Sequence, residues 1–157
     1  MILCSTILAM LVTLSVSYAG RSASAVPFPS GCDAGDHWLK SGQVSNDAQD
    51  DSQAFADWRQ SSREYAACAG RSAGRRHYMY LLLGGKADFS AAFAFDGVEL
   101  NRAFTYHTEP DHTLSHEYEQ NARRKLNALA ANKSCPSDLR RLAALFAERT
   151  YVGTDWP

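Results

Sequence analysis

Beyond an apolar N-terminal run the chain has no isoleucine, and its only valines are Val26, Val44, Val98 and Val152. Alanine and leucine supply most of the aliphatic volume. β-branched residues favour strands, whereas alanine and leucine favour helices. This shortage argues against a sheet-dominated domain and for an all-α one. No cysteine pair has the close spacing of a zinc site, with cysteines only at 4, 32, 68 and 135. The glycine-rich basic stretch Gly70–Arg76 (GRSAGRR) lacks the Gly-Lys-Ser/Thr ending of a nucleotide loop and reads as a solvated turn. Charge of one sign is missing too. Sixteen Lys and Arg against 17 Asp and Glu leave a net charge of −1, so the whole-molecule field favours neither nucleic acid nor an anionic membrane.

The uncharged run Ile2–Val16 is followed by the small-x-small triplet Ser17-Tyr18-Ala19. Together they read as a secretory signal peptide over residues 1–19, although no Lys or Arg precedes the run. The run is short for a span of about 20 residues, so no membrane span is expected once the signal is removed. Residues 20–31 (GRSASAVPFPSG) are small, polar and proline-containing, and read as an extended arm. Residues 32–157 then form a single helical domain, large enough to bury roughly two thirds of its unfolded surface. The implied location is secreted or periplasmic. In an oxidising compartment three cysteines predict one bridge and one leftover thiol. Cys68 and Cys135 each close a predicted helix and form the expected pair, with a bridge from Cys32 as the alternative.

Periodicity places the helices. A short one is expected around His37-Trp38-Leu39. From Asp47 to Ala69, Phe55, Trp58, Tyr65 and Ala69 share one face, interrupted by Ser62. Asp47, Asp50 and Asp51 sit where the helix dipole favours anions. Tyr78–Leu83 (YMYLLL) must be buried, and Gly84-Gly85 is expected to end it. Residues 87–106 admit two readings. As a helix, Phe89, Phe93, Leu100 and Phe104 fall on one face, with Gly97 as a break or kink. As a β-hairpin, the Asp96-Gly97 turn joins alternating apolar residues. The alanines favour the helix. Thr113–Ala131 carries the stripe Leu114, Tyr118, Ala122, Leu126 and Leu129. Ser137–Thr150 carries Leu139, Leu142, Leu145 and Phe146. The tail Tyr151–Pro157 is expected to pack Tyr151 and Trp156 on the body. The predicted fold is a compact all-α bundle of four to five helices stapled by one disulfide; the alternative is an α+β domain with the hairpin at 87–106.

Chemistry concentrates between Phe104 and Glu119 (FTYHTEPDHTLSHEYE), which holds His107, His112 and His116 among four carboxylates. His112 and His116 are four apart, so a helix starting near Asp111 presents both on one face. His107 is the third candidate metal ligand, and a catalytic zinc needs three protein ligands and an open position. The order His-x-x-x-His-Glu is not that of the His-Glu-x-x-His metalloproteases. The same acids also serve as helix caps. No cofactor is required by any motif. The expected function is binding of a protein partner by an exported helical protein, as in immunity or enzyme-inhibitor proteins. The alternatives are a metal-binding protein or metal-dependent hydrolase centred on those histidines, and a structural envelope or secreted component.

Overall fold

In the computed structural model, described here for residues 29–148, the chain forms five helices. They are α1 (Asp33–Asp47), α2 (Asp51–Gly70), α3 (Gly74–Tyr106), α4 (Thr113–Ala131) and α5 (Ser137–Glu148). There is no strand among the described residues, so residues 87–106 are helix and not hairpin. The expected signal peptide, most of the expected arm and the tail with Tyr151 and Trp156 lie outside the described residues. Among those residues no helix is long and apolar enough to cross a membrane.

Helix α3 is the axis. It packs on α2 and α4 and touches α5, while α1 leans on α2 and α5 on α4. Tyr65, Leu82, Leu126 and Leu139 are essentially fully buried at the centre. Ala54, Trp58, Ala91 and Ala94 make a second cluster between α2 and α3. Asp50 caps α2 by accepting from the Gln53 amide at 3.0 Å, which satisfies one of the orphan donors of the first turn. The short helix expected near His37 extends instead to 15 residues.

Helix α3 runs unbroken for 33 residues through Gly84-Gly85 and Gly97, where an end and a kink were expected. Gly85 and Gly97 are packing notches. A Cβ on Gly85 would come 2.7 Å from the Leu126 side chain of α4. At Gly42 of α1, a Cβ would lie 2.5 Å from the Trp58 ring of α2. A missing Cβ lets a large side chain from the neighbouring helix reach the backbone, and buried neighbours offset the lower helix propensity.

The disulfide joins Cys32 to Cys68, with Cα atoms 6.1 Å apart, and not Cys68 to Cys135. Topology explains the correction. Cys32 is the N-cap of α1, and Cys68 lies in the last turn of antiparallel α2, so both reach the same end of that hairpin. Cys135 sits in the α4–α5 turn as a buried free thiol, and burial pushes its pKa up. Beside the bridge, the buried Asp36 carboxylate accepts from the Ser30 amide (2.5 Å), the Ser30 hydroxyl (2.7 Å) and the Tyr65 hydroxyl (2.6 Å). Tyr80 adds a hydroxyl donated to the Ser30 carbonyl at 3.3 Å. Residue 30 is thereby tied to α1, α2 and α3.

Candidate functional site

The antiparallel order brings two turns to one end of the bundle: the α1–α2 turn and the corner between α3 and α4. Asn101 of α3 donates to Asp51 of α2 at 3.0 Å, and Gly97 leaves room for that carboxylate, 2.5 Å from where a Cβ would stand. Burial and the neighbouring Asp50 raise the Asp51 pKa.

Helix α3 ends at this corner with His107 in the left-handed region (φ 52°), and the Thr108 amide reaches back to the Ala103 carbonyl at 3.0 Å. That is the C-terminal motif usually given to glycine or asparagine. Asp111 accepts from the Thr113 amide at 3.0 Å and opens α4. Its bonds to Thr113 hold its carboxyl below the ordinary value. His112 is the residue preceding the helix, and His116 follows one turn later.

The expected pairing of His112 and His116 on one face is present, and both rings line a cleft of about 180 Å³ with Asp96, Ser115 and Glu119. His107 is not among its lining residues. Each histidine of the cleft faces a carboxylate. His112 Nδ1 lies 2.5 Å from Asp96 Oδ1, and His116 Nδ1 lies 3.7 Å from Glu119 Oε2. Glu119 is also held by Arg123, at 2.9 and 2.6 Å, while the Arg123 guanidinium stacks over Phe89 and donates to the Ala147 carbonyl. Ser115 Oγ is 3.0 Å from Asp96 Oδ1 and 2.9 Å from the His112 carbonyl, so two acceptors compete for its one proton. Phe95 meets Tyr118 edge to face, Phe55 packs tilted against both, and the Arg59 guanidinium lies 4.8 Å from the Tyr118 centroid.

This cleft can orient an imidazole. It does not aim a nucleophile at one, because Ser115 is engaged elsewhere. Among the described residues no group of three or more His, Cys, Asp and Glu side chains is placed to hold a metal ion. The three histidines of the corner therefore do not converge as a ligand set.

Gly70-Arg71-Ser72-Ala73-Gly74 reads Gly-x-Ser-x-Gly, yet it joins two helices, whereas a nucleophile elbow joins a strand to a helix. His77 nearby holds its Nδ1 2.9 Å from the Ala69 carbonyl.

The corner has a second property that its sequence pattern concealed. The α3 stripe starts buried at Phe89 and surfaces as the helix outruns its neighbours. Leu100 is 47% exposed, Phe104 84%, Tyr106 70% and Leu114 of α4 50%. Four of the seven exposed large hydrophobics among the described residues thus fall within one short segment, which marks a place rather than scattered surface. Asp96 was also missed as a site residue, because Asp-Gly reads as a turn. Its distance of 16 residues from His112 has no local periodicity to reveal it. No family model, no curated protein and no solved structure matches this chain.

Proposed function

We propose that this is an exported protein that acts by binding another protein, in the manner of an immunity or enzyme-inhibitor protein. The observation that carries the reading is Phe104, a phenylalanine 84% exposed at the end of a rigid helix, with Leu100, Tyr106 and Leu114 exposed beside it in sequence. Exposed aromatic anchors on a rigid scaffold are what interface hot spots are made of. Export is supported by the apolar run before Ala19 and by the Cys32–Cys68 bridge, since disulfides persist in oxidising compartments. The metal-binding or metal-dependent hydrolase reading has less support, because among the described residues His107, His112 and His116 do not come together as a ligand set.

The test is capture from the exported fraction of the source cells, using the full chain and its Phe104→Asp variant. A partner held by the first at micromolar concentration and released by the second is expected. Recovery of nothing by either would count decisively against the reading.

A further inference from the structure

The net charge of −1 conceals a polarised molecule. Between Arg102 and Arg123 there are 20 residues with no Lys or Arg and four carboxylates, Glu109, Asp111, Glu117 and Glu119. Residues 41–58, which include the α1–α2 turn at the same end of the bundle, also lack Lys and Arg and contain Asp47, Asp50, Asp51 and Asp57. The opposite end holds the α2–α3 turn with Arg71, Arg75 and Arg76 and the start of α5 with Arg140 and Arg141, against Asp33, the buried Asp36 and Asp138, the last paired with Arg75. At the acidic end Arg102 lies beside Glu99, at 4.0 Å, and lines one cleft with Glu109 and Asp111, Arg59 lies over the Tyr118 ring, and Asp96 and Glu119 are engaged by histidines and Arg123. Glu109, Asp111 and Glu117 are exposed.

We infer that the acidic end, centred on Phe104, is a docking surface for a basic protein partner that covers Leu100 and Phe104 and sets its own Lys and Arg against Glu109, Asp111 and Glu117. This rests on the protein-binding reading and deepens it. Two independent features fall at the α3–α4 corner: apolar side chains left in water, and exposed carboxylates. An apolar centre supplies affinity, and a like-signed rim steers an oppositely charged partner and repels acidic ones. A second copy of the chain is a poorer occupant face to face, because the two acidic rims would oppose each other.

The probe is a fluorescein-labelled 20-residue amphipathic helix of Leu and Lys, with a Leu/Glu helix of the same pattern as comparison. Anisotropy at low salt is read for the full chain, for Phe104→Ala, for the triple reversal Glu109→Lys, Asp111→Lys, Glu117→Lys, and for Arg71→Glu with Arg76→Glu at the far end. The Leu/Lys helix should bind. Its affinity should fall about tenfold or more in both acidic-end variants and stay within about twofold in the far-end variant. Rising salt should weaken it, as exposed charges are screened beyond about 10 Å at 0.1 M. Circular dichroism confirms that each variant is folded. Equal binding by the full chain and Phe104→Ala, or equal binding of the Leu/Glu helix, overturns the surface. So does a concentration-dependent dimer, seen by sedimentation, that Phe104→Ala abolishes. If the surface fails while capture from the exported fraction still succeeds, the protein-binding reading stands. If the peptide obeys these variants while capture recovers nothing, that reading fails and the surface stands.

Discussion

Removing the Asp36 carboxylate strands three donors at once: the Ser30 amide, the Ser30 hydroxyl and the Tyr65 hydroxyl. All lie in a buried region, where an unsatisfied group costs about 1–3 kcal/mol. Asp36→Ala is therefore expected to cost about 2–4 kcal/mol in urea unfolding, and Tyr65→Phe about 1–2 kcal/mol. A loss below about 0.5 kcal/mol for Asp36→Ala would refute the network as a stabilising element. The thiols make a parallel case. Breaking Cys32–Cys68, whose ends are separated by 36 residues, should remove about 4 kcal/mol in the chain-entropy model. Cys135→Ser, at a thiol outside the bridge, should leave the reduction behaviour of the protein unchanged. Labelling the free thiols of the unfolded, unreduced protein and mapping the label reads the pairing, with Cys135 expected to be labelled and Cys32 and Cys68 not.

Elements meet through glycine here, and that is where sequence patterns fail most instructively. Gly85→Ala drives a methyl to within 2.7 Å of Leu126, which is fully buried and has little room to yield. Overpacking of this kind costs about 1–3 kcal/mol, against a gain of up to about 1 kcal/mol in helix propensity. Net destabilisation in a thermal melt is the expected outcome, and a stabilised variant would show that the notch is loose. The helical periodicity of α2, α4 and α5 was legible because each carries one apolar face and one wet face. Helix α3 was legible only in pieces. It is buried on several sides, so its pattern is continuous rather than periodic, and Gly84-Gly85 reads locally as a stop. The space beside Gly85 and Gly97 is filled by Leu126 and Asp51 from other helices, which no window of sequence contains. The pairing of Cys32 with Cys68 was equally hidden, because it depends on α1 and α2 being an antiparallel hairpin. The His112–His116 face, by contrast, followed directly from spacing of four on a helix whose start was marked by Asp111. The α5 helix start offers a pH test at this scale. Arg75 grips Asp138 with both guanidinium nitrogens, at 2.9 and 2.5 Å, and holds its carboxyl near a pKa of about 2. A carboxyl depressed in the folded state stabilises above its ordinary value near 3.8, and that contribution is lost as pH falls toward 2. The pair is exposed, so its worth is about 1 kcal/mol or less. Asp138→Asn should lower stability slightly at pH 6 and match the parent chain at pH 2.

At the scale of the whole molecule, the groups that hold the fold and the proposed binding surface lie in different places. The bridge, the Asp36 network and the core of Tyr65, Leu82, Leu126 and Leu139 hold the body of the bundle, while Phe104 stands at the corner with most of its ring in water. A ring this exposed gains little from folding, and surface changes away from packed features usually stay within about 0.5 kcal/mol. Phe104→Asp should accordingly leave the melting temperature within about 2 °C of the parent chain and raise solubility by breaking an apolar patch. The same change should cost a partner most of its affinity, since burying an unpaired carboxylate against an acidic rim adds repulsion to lost contact. Stability and binding measured on one preparation separate the two roles. A fall of more than about 2 kcal/mol in stability would mean that Phe104 is part of the packed body, and the corner would then lose its claim to be a surface kept open for another molecule.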